Sequence, residues 1–326
     1  MGRQYSPQEW LARFYNHLLM YTKEGEEAKK YLKERGINEK TIEKFKLGFS
    51  PKNEQITLDF LKSKGFNLEM LAAEKILTRY QSGRKRGKIG DLFRGRITIP
   101  ITDFKGDVVA FGGRSMKKDD KIKYINSPSS NQYVKGDNLF GFSYAEKYIR
   151  KSGFVILVEG YFDFLQVYQA GFKNVVAVLG VALTLNQALL LKDVTSNAVI
   201  VFDGDEAGKK ASFKIAKMLK TVGVNVTIAS TKNGDDPDDY IRQKGVDAFV
   251  RLLKESKPFV DAVIEYYFSI YNNLQTPLDK LMFVESVLEQ VPENNVTERK
   301  EVLSKILAIN GQAVKPLYDE LVKRGL

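Results

Sequence analysis

Two acidic groups stand directly after apolar runs: Glu159-Gly160 after Phe154–Val158, and Asp203-Gly204-Asp205 after Ala198–Phe202. A third, Asp236-Pro237-Asp238, follows the run Val224–Ala229. Continuous Val/Ile/Leu runs read as parallel strands buried on both faces, and the carboxyl ends of such strands form the binding crevice of an open α/β sheet. Glu159 and Asp203 are therefore expected to converge although 44 residues separate them. The glycine between Asp203 and Asp205 lets a phosphate or metal ion approach the backbone closely. Mg²⁺ takes one or two carboxylates together with waters and substrate phosphates, so several acids in one cleft point to metal-assisted phosphoryl chemistry. Taken singly, each Asp-Gly also makes an ordinary turn; placement at three strand ends is what favours a metal site. Asp163 is read either as a cap of the helix after Glu159 or as a support for the acids. Gly208 opens an Ala- and Lys-rich helix over Glu206–Leu219, whose amino terminus offers a weaker phosphate signal.

The elements that must position these acids are legible by their spacing. Four apolar runs, Phe154–Val158, Val175–Leu179, Ala198–Phe202 and Val224–Ala229, alternate with helix-capable segments, which predicts a small doubly wound parallel sheet. Upstream, Ser6-Pro7 with Glu9 three residues after the serine predicts a capped helix from Pro7 into Tyr21. Ala28, Tyr31 and Leu32 continue at helical spacing to a stop at Gly36, and a short helix over Glu39–Lys46 is expected to end near Gly48. Between Arg79 and Lys135 short β-like runs, Arg96–Ile101 and Val108–Phe111, are separated by the turn signals Lys105-Gly106-Asp107 and Gly112-Gly113. After Gly245 strand signals stop, and Phe259–Leu274, Pro277–Gln290, Thr297–Leu307 and Val314–Val322 carry helical spacing. The expected fold class is mixed α/β and α+β: an N-terminal α+β subdomain over 1–134, a central parallel α/β sheet over 135–257, and a C-terminal helical bundle over 258–326.

Composition narrows the chemistry. The 326 residues are 43% hydrophobic and 28% charged with 9 prolines, enough apolar content for a folded core of two or three units. Lys and Arg number 51 against 40 Asp and Glu, a net charge of +11 that favours a polyanionic partner. Fourteen of those cations face only five acids between Arg79 and Lys135, so most of the excess is local. With no cysteine and a single histidine, Cys- or His-ligated metal sites and Ser-His-Asp chemistry are excluded from the expectation, which leaves the carboxylates. His17, among Phe14, Tyr15, Leu18 and Leu19, is given no function. The opening MGRQYSPQEW lacks an apolar signal core, no apolar run is long enough to span a membrane, and a cytoplasmic protein is expected.

The stretches Glu159-Gly160-Tyr161-Phe162-Asp163, Phe202-Asp203-Gly204-Asp205 with Ala207-Gly208, and Asp236-Pro237-Asp238 resemble the toprim signature. Three more, Phe93-Arg94-Gly95-Arg96 leading to Pro100, Ala110-Phe111-Gly112-Gly113-Arg114, and Lys123-Tyr124-Ile125-Asn126-Ser127-Pro128 before Lys135-Gly136, are similar to bacterial primases of the DnaG type. Topoisomerases share toprim but not these. The resemblance spans essentially the whole chain and implies an RNA polymerase core that makes short RNA primers on single-stranded DNA from ribonucleoside triphosphates. It implies Glu159, Asp203 and Asp205 as ligands of two or more Mg²⁺ or Mn²⁺ ions, Asp236 and Asp238 completing the cleft, and Asp163 in support. It also implies a basic ridge of Arg94, Arg96, Arg114, Lys123, Asn126 and Lys135 for template and triphosphate. The family's zinc-binding domain and its helicase-engaging C-terminal domain have no counterpart here, so no zinc is expected. Implied too are inhibition by guanosine tetra- or pentaphosphate and a place at the bacterial replisome and nucleoid. Val181 stands where the family often has threonine. A toprim nuclease or topoisomerase, or a nucleic-acid-binding module with vestigial acids, would use the same residues differently.

Overall fold

The computed structural model describes residues 5–117, 119–180, 182–231, 234–271, 276–292, 295–310, 315 and 319. All of the expected helix over Val314–Val322 but Lys315 and Asp319, together with Lys118 of the basic stretch and Val181, lies outside them. The chain forms two compact units, Met1–Glu146 with Tyr161–Ala177, and Lys147–Gly160 with Val178–Leu326.

The first unit begins with α1 (Pro7–Tyr21), where Ser6 Oγ accepts the Glu9 amide at 3.1 Å and Pro7 takes the first helical turn. Next come α2 (Glu26–Glu34), closed by Gly36 at φ 74°, and α3 (Glu39–Lys44). Gly48 is not a helix stop: it opens β1 (Gly48–Phe49), and the left-handed residue after α3 is Lys46. A Cβ at Gly48 would lie 2.5 Å from that of Tyr15, so the glycine serves close packing of α1 on β1. Two more helices follow, α4 (Glu54–Ser63) and α5 (Leu68–Ala73), both capped by asparagines. The hairpin of β2 (Thr78–Arg79) and β3 (Ile89–Gly90) precedes β4 (Ile97–Thr102), β5 (Val108–Arg114) and β6 (Tyr124–Asn126). These make an antiparallel sheet in the order β1-β4-β5-β6. Gly106, at φ 89°, makes the expected turn, but Gly112-Gly113 does not: both lie inside β5, paired with Asn126 and Ile125. Leu11, Tyr15, Leu61, Phe93 and Phe111 pack as its core.

After α6 (Phe142–Ser152) and β7 (Val155–Val158), α7 (Tyr161–Gln169) and β8 (Val175–Ala177) belong to the first unit, where Ala177 bridges Phe140. The second unit continues with α8 (Leu185–Val194), β9 (Asn197–Phe202), α9 (Glu206–Thr221) and β10 (Asn225–Ser230). Then come α10 (Pro237–Lys244), α11 (Val246–Lys254), β11 (Lys257–Pro258), α12 (Phe259–Ile270), α13 (Pro277–Glu289) and α14 (Val296–Asn310). Strand β9 runs parallel to both β7 and β10, each an apolar run with a buried centre. The short β11 adds an antiparallel edge on β10, a strand that two residues ending in proline do not announce.

Candidate active site

The register of the parallel strands brings the acids together. Leu157 pairs with Ile200, so two residues further along Glu159 stands level with Phe202, next to Asp203. Phe202 pairs in turn with Ser230, which places Thr231 level with Asp203 on the other side. Glu159 accepts the backbone N–H of Asp203 at 3.2 Å. Gly208, the third residue of α9, is required here, since a Cβ would lie 2.3 Å from the Asp203 carbonyl oxygen and 3.0 Å from Glu159 Oε1. Its amide donates to Asp205 Oδ1 at 2.7 Å, so a carboxylate of the chain itself caps the α9 amino terminus considered above as a phosphate site. Gly204 donates to the carbonyl of Asp235, tying the Asp203–Asp205 turn to the start of α10, where Asp236 is the N-cap and accepts from the Asp239 amide at 2.6 Å.

These carboxylates oppose one another electrostatically. Burial, then Glu159, Asp236, Asp205 and Asp239, push the Asp203 carboxyl up to about 7. Burial also raises Glu159, against the hydrogen bond from Asp203 and in concert with Asp205 and Asp236. Among the described residues no Lys or Arg pairs with Glu159 or Asp203. Asp238 differs: it is fully buried and ion-paired with Arg242 Nε at 3.0 Å, and Arg242 also reaches Asp239. Asp236, Asp238 and Asp239 place carboxylate oxygens within 4.8 Å of one another. Asp239, in the first turn of α10, joins this cluster although it was not among the acids singled out after the strands; its local signal is its place directly after Asp238.

The basic residues sit in the first unit. Arg94 is exposed on a turn held by Asp91, whose Oδ1 accepts the Phe93 amide at 2.8 Å. Asp91 Oδ2 accepts hydroxyl protons from Tyr15, Ser50 and Thr57 at 2.6, 2.6 and 3.0 Å. Arg96 is committed to structure: its guanidinium binds Asp120 at 3.1 Å and the carbonyls of Ile122 and Lys123, which leaves the Lys123 side chain exposed at the end of a fixed loop. Arg114 donates from Nε to the Tyr31 hydroxyl at 3.1 Å and lies 4.5 Å from the centre of the Tyr124 ring, its cross-strand neighbour. Asn126 accepts from the Tyr161 hydroxyl at 2.7 Å. Lys135 is exposed on the turn Lys135–Asp137. Asp163 is nearly buried as the third residue of α7 rather than its cap, and its charge acts on Tyr124 along with those of Arg114 and Arg35. Tyr161 ties the signatures to each other: Gly112 leaves room for its ring, a Cβ there meeting it at 2.5 Å.

Comparison with known proteins follows the same division. Residues 14–146 match the model of the DNA primase catalytic core, N-terminal domain, and residues 156–241 a toprim-like model. The DNA primase of Halalkalibacterium halodurans is 36% identical over 303 residues, covering 92% of this chain and 50% of that protein. The crystal structure of the zinc-binding and RNA polymerase domains of Aquifex aeolicus primase superposes with a TM-score of 0.76 at 34% identity, covering 93% of this chain and 71% of that one. The chain belongs to the DnaG-type DNA primase family. A structure of the DnaG primase catalytic domain bound to single-stranded DNA is likewise similar, with a TM-score of 0.75 at 28% identity and coverage of 93% of this chain and 94% of that one. The chain spans about half the length of the curated primases it matches. The mixed α/β architecture with a parallel sheet and C-terminal helices, expected from the strand and helix spacing, is that of primase catalytic cores. A toprim domain implies divalent-metal use, and the donor set fits: hard oxygen ligands, mutually repelling, with no described cation on Glu159 or Asp203. No described helix of this primase-family chain is long and apolar enough to cross a membrane.

Proposed function

We propose that this chain is the catalytic core of a primase, joining ribonucleoside triphosphates into short RNA primers on a single-stranded DNA template. The observation that carries the proposal is the crowding of Glu159, Asp203, Asp205 and Asp236 until Asp203 is driven up to about 7 inside a toprim domain. Glu159, Asp203 and Asp205, completed by Asp236 and Asp238, would hold two or more Mg²⁺ or Mn²⁺ ions. When bound, such ions supply activation of the primer 3′-hydroxyl and charge neutralisation at the α-phosphate.

The chain's own residues bind and orient. Arg94, Lys123 and Lys135 offer exposed cations to template and triphosphate phosphates, contacts that carry no base information. Arg114 adds a cation on the face of Tyr124. Arg96 and Asn126 act on the ridge through the Lys123 loop and the Tyr161 hydroxyl, and Asp163 through the charges around Tyr124. That a DnaG catalytic domain has been solved on single-stranded DNA supports the template assignment. In this reading residues 1–134 carry the ridge up to Asn126, 135–257 carry Lys135 and the acids, and 258–326 form the helical subdomain. Guanosine tetra- or pentaphosphate would compete for the same phosphate contacts. A zinc domain and a helicase-binding domain would act from outside these residues, at the replisome on the bacterial nucleoid, in the cytoplasm and away from any membrane; with no cysteine, the chain itself offers no Cys-ligated zinc site.

The test is incorporation of labelled ribonucleotides on single-stranded DNA with Mg²⁺ or Mn²⁺, comparing the native chain with Glu159→Gln. Metal-dependent RNA falling by a factor on the order of 10³ in the variant, with DNA binding retained, is the expected result. Undiminished synthesis by Glu159→Gln would sink the assignment of the acids, and DNA cleavage in place of synthesis would make the chain a toprim nuclease.

A further inference from the structure

Beside the acidic turn the second unit holds a cleft of about 1010 Å³ that the reaction described above does not use. It runs from Gly204, between Asp203 and Asp205, along β10 and β11, walled by α9, α10, α11 and α12. Its walls are helix faces built at helical spacing: Lys209 and Phe213 on α9, Tyr240 and Lys244 on α10, Arg251 on α11 and Tyr266 on α12. Lys257 and Glu265, also in the lining, neutralise each other as an ion pair. Lys209, Lys244 and Arg251 make no side-chain hydrogen bond or ion pair with any described residue, and Lys244 and Arg251 are exposed. Against them stand two acids, Glu255 just past the end of α11 and Asp235 at the mouth beside Gly204.

Unpaired cations interleaved with aromatic side chains are what a nucleic-acid strand requires, phosphates on the cations and bases on the rings. A volume at the upper end of small-molecule pockets suits more than one nucleotide. We infer that this cleft binds single-stranded nucleic acid, seating two or three nucleotides of the strand that leaves the acidic cluster, with phosphates on Lys209, Lys244 and Arg251 and a base against Tyr240 or Tyr266. The inference rests on the primase reading and extends it from the reacting nucleotide to the strand behind it. Template DNA and product RNA share this chemistry, and the experiment separates them.

Lys244→Ala/Arg251→Ala in the full chain removes two exposed cations without breaking a side-chain hydrogen bond or ion pair to any described residue. Binding of fluorescein-labelled DNA and RNA 12-mers is followed by anisotropy from low to high salt, and primer lengths are read on gels. The expected result is at least tenfold weaker binding with a salt slope shallower by about 1.4, two single-strand phosphate contacts. Formation of the first dinucleotide should persist while longer primers are lost. Loss confined to the DNA oligonucleotide assigns the cleft to template, and loss confined to RNA assigns it to product. Tyr240→Ala should weaken binding by about tenfold with the slope unchanged, because stacking releases no counterions. Affinity, slope and primer length all equal to the native chain would overturn the inference. A native chain that makes no RNA yet shows these binding changes would instead defeat the primase reading and leave the cleft standing.

Discussion

Asp91 in the first unit and Asp203 in the second are both carboxylates drawn out of water, and they are treated in opposite ways. Asp91 is 2% exposed and surrounded by donors: three hydroxyls and an amide converge on its two oxygens. Burial and the neighbouring Asp91 push the Tyr15 hydroxyl far up, so it remains a donor at any ordinary pH. Asp203 is surrounded by acids, and its folded state prefers it protonated. A buried charge is tolerable when its hydrogen-bonding needs are met and is a liability when like charges crowd it. The first arrangement stabilises a fold. The second stores repulsion that a proton or an incoming metal ion relieves, which is why the comparison separates an architectural acid from a working one.

The largest effect should come from spoiling the satisfied carboxylate. Asp91→Asn leaves one acceptor and turns an NH₂ toward groups that are themselves donors, and it should lower stability by about 3 kcal/mol, measured by chemical denaturation. A loss under about 1 kcal/mol would mean the hydroxyls find other partners and the contrast with Asp203 is overdrawn. Gly112→Ala comes next. Its Cβ would fall 2.5 Å from the Tyr161 ring, which is pinned by its bond to Asn126 and by Phe140 at 4.8 Å, so the ring cannot simply swing aside. We expect a loss of about 2 kcal/mol in thermal unfolding. Gly106→Ala, where nothing lies within 4 Å and only the left-handed backbone objects, should cost about 1 kcal/mol.

The two carboxylates also differ in how far each could be read from sequence. The convergence of Glu159 with Asp203 was legible because both lie at the ends of apolar runs whose pairing follows from a parallel sheet. The start of α1 was legible for a similarly local reason, Ser6-Pro7 being a helix start on its own terms. Asp91 was not, because its three hydroxyl donors come from residues 34, 41 and 76 positions away, on elements whose packing no local pattern reveals. The same blindness made Gly112-Gly113 look like a turn: what demands glycine there is Tyr161, 49 residues after Gly112, and Phe93, 20 residues before Gly113. Arg96 read as one more cation of the ridge, whereas its guanidinium is spent on Asp120 and the carbonyls beside Lys123. Residue type announces charge, and only packing shows whether that charge is already engaged.

The smallest effect tests the stored repulsion itself. Because the folded state raises the Asp203 carboxyl from 3.8 to about 7, folding takes up a proton there. Below the unfolded pKa both states are protonated and nothing is lost; as pH rises through the folded value the folded chain must ionise against its neighbours, and stability falls. The Asp203 carboxyl is partly exposed and its charge is screened by solvent, so the effect is about 1 kcal/mol. In the presence of chelator, Asp203→Asn should therefore be more stable than the native chain by about 1 kcal/mol at pH 8, with the gap closing toward pH 5. Adding Mg²⁺ or Mn²⁺ at pH 8 should raise the unfolding midpoint of the native chain and move the variant less, since a bound ion stabilises only the state that holds it. A variant less stable than the native chain at pH 8 would show that Asp203 is, like Asp91, held by the fold, and the distinction between the two carboxylates would collapse.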